Sequence, residues 1–225
     1  MDKSRTQALI GKNNVEKIAF KRVTIVGVGG VGGYVATLLA RAGVEKMRII
    51  DFYTVSPSNF NRQVVAVKGN EGRLKVEALK DILLSINEDI EVDSVPQKLD
   101  KDNVSSLLEN SDIVVDAIDI VKDKVALIIY CKKHNINVIS AMGAGNRYDQ
   151  PNFYLTDIYK THDDGLAKVI RKALREEGVK NLDVVTCDSK PEKVEGVIGS
   201  ISYYPAVCGA VIASAVVNKI IKEEI

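Results

Sequence analysis

The strongest constraint on the fold is a strand-like run that leads through a glycine-rich turn into a helix. The β-branched stretch RVTIVG at 22–27 is followed by GVGGVG, Gly27 to Gly32, and by a helical stretch that ends at Gly43. Glycines in this position allow a tight turn and let a phosphate approach backbone N–H groups at a helix N-terminus. The chain therefore predicts a nucleotide-binding α/β unit near its start.

Strands and helices continue to alternate beyond this unit. Apolar runs typical of strands lie at 46–52, 90–95, 112–119 and 136–143, and runs typical of helices lie at 73–87, 101–109 and 122–134. Short apolar strands that alternate with helices are typical of a parallel sheet covered on both faces. The sequence therefore predicts an α/β fold with a Rossmann-like, mainly parallel sheet and helices on both faces.

The pattern changes after Gly145. Strand-like runs lie at 153–159 and 200–204, helical runs at 165–178 and 206–222, and a charged, proline-bearing loop at 188–196. We expect the sheet to continue with antiparallel strands and a C-terminal helix. Because no linker-like change in composition separates the two parts, we predict a single domain over 1–225. Its two halves, 1–145 and 146–225, would bind ATP and serve substrate and dimer contacts, respectively.

Composition and charge exclude several classes of protein. The 225 residues are 46% hydrophobic and 27% charged, and 31 Lys plus Arg against 30 Asp plus Glu give a net charge of +1. This excludes a disordered chain and argues against a polyanion-coating protein. The longest apolar run, 205–217, is shorter than the ~20 residues of a membrane-spanning helix, so we expect a buried helix and no membrane span. The three cysteines form no CxxC pair, which indicates a reduced, cytoplasmic protein without a four-cysteine zinc site.

Cations downstream of the turn favour ATP over a dinucleotide. Asp51 ends the second strand, where a carboxylate can accept hydrogen bonds from ribose hydroxyls. Arg62 and Lys75 lie on the next elements, where the fold can direct them to a triphosphate; each could equally be a solvated surface cation. Asp116 and Asp119 stand at the end of a central strand and could hold Mg²⁺, although Asp119 could instead cap a helix.

These residues also stand in a recognisable order. GVGGVG, Asp51, SNFNRQ at 58–63, Lys75 and DAID at 116–119 resemble the ubiquitin-activating/HesA/MoeB/ThiF superfamily. Members of that superfamily use ATP and Mg²⁺ to adenylate a carboxylate. The resemblance assigns ATP binding to the following residues: Gly27, Gly29, Gly30, Gly32, Asp51, Asn59, Arg62, Lys75 and Asp119. It further implies that Arg62 and Lys75 act in catalysis, that Asp119 handles Mg²⁺, and that Arg5 reaches the ATP of a partner subunit in a homodimer.

The second half of the chain narrows the resemblance. Four zinc-binding cysteines typical of MoeB- and ThiF-type members are absent, whereas ISAMGAGNRYDQPNF, TDIYKTHDDGLAKVIRKALR and GSISYYPAVCG resemble the tRNA threonylcarbamoyladenosine dehydratases. That resemblance implies a tRNA substrate whose modified adenosine at position 37 is activated as an acyl-adenylate and cyclises with net loss of water. A sulfur-relay protein is a further partner to consider. Tyr53 departs from the pattern, because an acidic residue often stands there, and no thioester is expected at Cys187.

The sequence also offers a surface for RNA. Lys168, Arg171, Lys172 and Arg175 recur at helical spacing and could bind phosphates or form a solvated helix face. Arg147, Tyr148 and Tyr203 could meet the modified base or simply pack. His134 and His162, the two histidines, lie near no motif, and we expect both at the surface.

Two other functions share part of this pattern. An adenylyltransferase that acts on the C-terminal glycine of a ubiquitin-like sulfur carrier would use the same ATP residues; the missing zinc cysteines and the dehydratase-like second half of the chain argue against it. An NAD-dependent oxidoreductase or a nucleotide-sensing module would use the glycine turn but would not need Arg62 or Lys75.

Overall fold

Seven strands form one sheet in the order β3-β2-β1-β4-β5-β7-β6. The computed structural model describes residues 1–225, and the strands are β1 Arg22–Val26, β2 Lys46–Ile50, β3 Glu91–Val95, β4 Ile113–Asp116, β5 Asn137–Ala141, β6 Phe153–Asp157 and β7 Asp183–Cys187. All neighbouring pairs are parallel except β6 with β7, which run antiparallel at one edge. The predicted mainly parallel sheet with an antiparallel continuation is confirmed.

Helices cover both faces of this sheet. They are α1 Ser4–Ile10, α2 Lys12–Phe20, α3 Gly32–Ala42, α4 Lys75–Ile86, α5 Val104–Leu107, α6 Val121–Lys133, α7 Gly165–Glu176 and α8 Tyr203–Ile221. One apolar core of 33 buried residues lies under α3, α4 and α8, and a second of 18 lies under α5, α6 and α7. The predicted helices are present, and the structure has two further helices, α1 and α2, that were not predicted from the sequence.

The order of the strands fixes the place of a ligand site. From β1 the chain proceeds to β2 and β3 on one side, and β4 and β5 lie on the other side. Val26 and Asp116, the last residues of β1 and β4, are register partners. In open α/β sheets, ligands bind outside the carboxyl ends of the strands where the order reverses in this way. The glycine turn after β1 and the DAID segment of β4 therefore meet at one crevice.

The predicted strand at 200–204 is wrong. Helix α8 already begins at Tyr203, and Tyr204 is fully buried with its ring 5.4 Å from that of Phe153. The alternating run SISYY resembles a strand, but its second tyrosine points into the core from the first turn of a helix. Pro205 is compatible with this turn because the first helical N–H groups need no intrahelical acceptor. The sheet position is taken instead by β7, DVVTC, whose short buried run carries no clear period.

Helix α8 is long and apolar because it is a core helix. An 18-residue window within its 19 residues has a mean hydropathy of 1.6, enough by length and composition to cross a membrane, so the predicted exclusion by length does not hold. Half of the window is nevertheless buried inside the fold. Gly209 lets α8 approach α3 closely, since a Cβ there would lie 2.9 Å from the carbonyl oxygen of Val31.

Candidate active site

The glycines of the turn allow close backbone packing and also line an open cavity. Gly27 has φ +94°, and a Cβ at this position would lie 2.5 Å from the carbonyl oxygen of Ala117. Gly32 is buried, and its Cβ would lie 1.9 Å from the carbonyl oxygen of Gly27. Both positions therefore require glycine for the close approach of β1, β4 and α3. Gly27, Gly29 and Gly30 line a cavity of about 680 Å³, whereas Gly32 does not.

Asp51 holds this turn in place from the end of β2. One carboxylate oxygen accepts a 2.7 Å hydrogen bond from the backbone N–H of Val28, and the other accepts a 2.8 Å bond from the N–H of Tyr53. Asp51 is buried, yet it lines the cavity. Each carboxylate oxygen can accept a second hydrogen bond, so the side chain remains able to bind a ligand hydroxyl.

Lys75 is a buried cation on the cavity wall. It is the first residue of α4, only 7% exposed, and its Nζ lies 5.2 Å from the centroid of the Tyr53 ring. Burial lowers the pKa of this ammonium group, while the carboxylates of Asp51 and Asp119 act in the opposite direction. A buried cation without a close carboxylate partner is ready to receive an anionic ligand.

Arg62 lies on the polar segment between β2 and α4. Its Nη1 donates 2.8 Å hydrogen bonds to the carbonyl oxygen of Ser58 and to the side chain of Asn61, and the residue lines the cavity. Asn59 is buried and does not line the cavity: its Oδ1 accepts a 3.2 Å bond from the N–H of Ser56 and closes the short 3₁₀ turn Pro57–Asn59. Asn59 thus shapes the loop that presents Arg62.

The structure separates the two aspartates that were predicted as a metal pair. Asp119 is exposed and lines the cavity. Asp116 is fully buried; its Oδ2 accepts hydrogen bonds from Lys124 at 2.8 Å and Ser140 at 2.6 Å, and its Oδ1 accepts one from the N–H of Ile118 at 3.1 Å. The prediction that Asp116 binds Mg²⁺ is therefore wrong. Its carboxylate is held by these donors, forms a buried ion pair with Lys124, and does not line the cavity.

Beyond the glycine turn, the cavity extends past the end of β5. Gly143 and Gly145 line it there, together with Asp164 and Gly165 at the start of α7. Asp164 caps α7 by accepting a 2.9 Å bond from the N–H of Ala167, and it also accepts a 2.9 Å bond from the N–H of Gly143. One continuous cavity therefore joins the nucleotide motifs of the first half to the second half of the chain.

Arg147 stabilises the loops that line the cavity beyond the end of β5. Its guanidinium is buried and donates to the carbonyl oxygens of Ser189 at 2.7 Å, Gly143 at 2.9 Å and Gly145 at 3.3 Å. The side chain therefore positions loops and is not free to meet a base. Tyr148 is 65% exposed, and its carbonyl oxygen accepts a hydrogen bond from the Tyr203 hydroxyl.

Comparisons with known proteins agree with this geometry. Residues 2–225 match the family model described as the ThiF family. The chain belongs to the ThiF family. The tRNA threonylcarbamoyladenosine dehydratase of Bacillus subtilis is 33% identical over an alignment 240 positions long, which covers 98% of this chain and 94% of that protein.

Two further relatives set the scale of the similarity. The crystal structure of the E. coli tRNA N6-threonylcarbamoyladenosine dehydratase TcdA in complex with ATP has a TM-score of 0.93 at 32% identity, covering 98% of this chain and 94% of that chain. The molybdopterin-synthase adenylyltransferase of Haemophilus influenzae is 35% identical over 125 residues, or 56% of this chain and 51% of that protein. The first similarity spans both halves of the ThiF-family chain, and the second spans only part of it.

Several residues that were not predicted as site residues also line the cavity of this ThiF-family protein. Gln63 is buried, lines the cavity, and its Oε1 has no hydrogen-bond partner. Lys98 and Asp123 form a 3.2 Å ion pair on the wall beyond Asp51. Gln63 directly follows Arg62 in the polar segment and could have been suspected there, whereas the pair of Lys98 with Asp123 arises only from tertiary packing.

The remaining predicted residues lie away from the cavity. Arg5 is exposed on α1 and does not line the cavity of its own chain. His134 and His162 are exposed, as predicted. All three cysteines are free and buried, and burial raises the pKa of the Cys187 thiol.

Proposed function

We propose that this ThiF-family protein uses ATP to activate the carboxylate of threonylcarbamoyladenosine at position 37 of tRNA, which then cyclises with net loss of water. The observation that carries the proposal is the continuous cavity. It places the glycine turn, Lys75 and Arg62 at one part and the walls formed by Gly143 and Gly165 at another. Such a cavity can hold a triphosphate beside the acid that it activates. The full-length similarity to the dehydratase of B. subtilis supports the same assignment.

The residues of the first half suit the parts of ATP. Gly29 and Gly30 leave room for phosphates at the N-terminus of α3, and Asp51 can accept hydrogen bonds from the ribose. Lys75 and Arg62 would neutralise the negative charge that grows on the departing pyrophosphate.

Asp119 fits a Mg²⁺ ion better than Asp116 does. Mg²⁺ in ATP sites uses one or two carboxylates together with phosphate oxygens and water, so one exposed carboxylate on the cavity wall is sufficient. When bound, the ion would supply charge neutralisation at the phosphates. The remaining chemistry belongs to the substrate and to this chain's own cations.

Two displacement steps account for the reaction, and each forms one bond and breaks another. A carboxylate oxygen of the substrate attacks the α-phosphorus of ATP, the bond to pyrophosphate breaks, and a mixed anhydride with AMP results. The ureido group of the same nucleotide then attacks the acyl carbon, loses a proton, and AMP leaves. The carboxylate needs no general base, because it is ionised at neutral pH. The attacking group is already tethered beside the acyl carbon, so proximity takes the place of a catalytic nucleophile.

The assembly belongs to the same proposal. Residues 1–145 would bind ATP, and residues 146–225 would contact substrate and a second copy in a homodimer. Arg5 does not line the cavity of its own chain and would act on the partner's ATP as a charge-stabilising group. The free thiols favour a reducing compartment such as the cytoplasm, where a sulfur-relay protein would be a further partner.

A sulfur-carrier adenylyltransferase is the second candidate. The similarity to the H. influenzae molybdopterin-synthase adenylyltransferase supports it, but that similarity covers 56% of this chain. The cysteines number three, too few for the four-cysteine zinc site of such enzymes.

The decisive experiment is mass analysis of tRNA nucleosides after incubation with the protein, ATP and Mg²⁺. We expect the threonylcarbamoyl nucleoside to lose one water, with formation of AMP and pyrophosphate. Lys75→Ala is the inactive control, and Lys80→Ala on the same helix is the matched active one. Pyrophosphate exchange driven by a sulfur-carrier protein, and not by modified tRNA, would contradict the proposal and favour the second candidate.

A further inference from the structure

Helix α7 carries a cationic stripe that faces away from the core. Ala167, Ile170 and Leu174 are buried against the sheet. On the outer side, Lys168, Arg171, Lys172 and Arg175 recur at the spacing of one helix face and line a shallow groove together with Val169, which is 50% exposed. In a protein of net charge +1, this is a local concentration of charge and not a general property of the surface.

The stripe has no anionic partner within the chain. None of its four cations takes part in an ion pair. Like charges four residues apart on a helix repel each other. An unpaired cationic groove is therefore suited to an external polyanion.

Two of the cations are held in place. Arg171 Nη1 donates to the carbonyl oxygen of Thr161 at 2.9 Å and also bonds the hydroxyl of that residue. The guanidinium of Arg175 lies 5.4 Å from the centroid of the Tyr159 ring. Because these groups are already ordered, they lose less conformational entropy when a ligand binds.

The stripe begins at the candidate active site. Asp164, Gly165 and Leu166 at the start of α7 line the cavity, and Lys168 and Arg175 lie about 10 Å apart along the helix axis at 1.5 Å per residue. The stripe thus begins within one helical turn of the cavity wall, where the phosphates next to a nucleotide bound in the cavity could reach it.

We infer that the α7 stripe binds the phosphate backbone of the substrate RNA next to the nucleotide that enters the cavity. This inference rests on the proposed function and adds the surface by which the substrate docks. A row of spaced cations matches the regular charges of a nucleic-acid strand. Backbone contacts of this kind position the RNA without reading its sequence.

The test is charge reversal in the full-length protein. Lys168 and Lys172 are exposed, so the double variant Lys168→Glu/Lys172→Glu leaves the core intact; the matched control is Lys68→Glu/Lys222→Glu, two exposed lysines elsewhere. We expect the α7 variant to bind modified tRNA at least tenfold more weakly. We also expect the slope of log K against log salt to fall by about 1 for each lost phosphate contact. ATP affinity should match that of the wild-type protein, because neither lysine lines the cavity.

The outcomes separate this inference from the proposed function. A higher KM for tRNA with little change in kcat, seen in the α7 variant and not in the control, supports docking. Unchanged tRNA affinity in the α7 variant, or equal losses in both variants, overturns it. A wild-type protein that bound ATP but not tRNA would overturn the proposed function as well. The neutral variant Lys168→Gln/Lys172→Gln provides the same comparison if charge reversal prevents folding.

Discussion

The carboxylate of Asp116 and the ammonium of Lys124 form a 2.8 Å ion pair in which both side chains are fully buried. The pair links the end of β4 to α6, and Ser140 on β5 donates a further hydrogen bond to the same carboxylate oxygen. Residues 117–120 follow directly and line the cavity. The ion pair therefore anchors the segment that carries Asp119.

We expect Lys124→Met to destabilise the protein by about 3–5 kcal/mol, because it leaves the Asp116 carboxylate buried without a counter-charge. Urea denaturation measures the change in the free energy of unfolding. The control is Lys122→Met, which lies two residues away and is exposed. A loss below about 1 kcal/mol in Lys124→Met would show that the ion pair contributes little.

Lys75 should set an alkaline limit on activity. Since burial lowers the pKa of its ammonium group, the group loses its proton, and its positive charge, at a lower pH than an ordinary lysine does. We therefore expect kcat/KM for ATP to fall as the pH rises, at a pH lower than that at which exposed lysines lose their protons. The guanidinium of a Lys75→Arg variant stays charged, so the residual activity of this variant should fall only at a higher pH. An unchanged pH dependence would assign the titration to another group.

Asp119 should govern the requirement for Mg²⁺. We expect Asp119→Asn to raise the Mg²⁺ concentration that gives half-maximal AMP formation by about tenfold or more, because one carboxylate ligand is lost. A Mg²⁺ titration at saturating ATP measures this shift. Asp102→Asn, at an exposed position that does not line the cavity, is the control. Equal Mg²⁺ dependence in Asp119→Asn and wild type would remove Asp119 from the metal site.

The sequence-based predictions succeed where local pattern decides the structure. The β-branched runs around Val26 and Val115 mark buried parallel strands, and the glycines between β1 and α3 mark a turn that only small residues permit. Asp51 could be placed because the end of β2 is fixed relative to that turn. These features depend on spacing along the chain, which the sequence displays directly.

The predictions fail where a long-range contact decides. Asp116 and Asp119 look equivalent in DAID, and only the packing of Lys124 and Ser140 withdraws Asp116 from the cavity. Similarly, the run at 200–204 alternates like a strand, but Tyr204 lies in the first turn of helix α8 and is fully buried in the core. Arg147 could be a binding residue by type, but its guanidinium also donates to the carbonyl oxygens of Asp163 and Ser189, 16 and 42 residues further along the chain.

Gln63 illustrates a conflict between stability and function. Its Oε1 is buried in the cavity wall without a hydrogen-bond partner, a state that costs about 1–3 kcal/mol. Replacing Gln63 with Met should therefore leave the free energy of unfolding unchanged or raise it by about 1 kcal/mol. If the carboxamide binds substrate, the same variant should lose turnover. Thermal unfolding and AMP formation, measured beside the exposed control Gln7→Met, separate the two effects. A destabilised Gln63→Met variant would contradict this view, because it would show that the carboxamide stabilises the fold.

Cys187 should be dispensable for turnover. The residue is fully buried at the end of β7, and burial raises the pKa of its thiol, so little reactive thiolate forms at neutral pH. We expect Cys187→Ala to keep most of its activity on tRNA, and we expect native Cys187 to resist alkylation by iodoacetamide until the protein is unfolded. Peptide mass spectrometry measures the alkylation, with Cys131, whose pKa burial raises to about 12, as an internal reference for an inert thiol. A Cys187→Ala variant that still forms the acyl-adenylate but releases no cyclised product would contradict this view, because it would require a thioester between adenylation and ring closure.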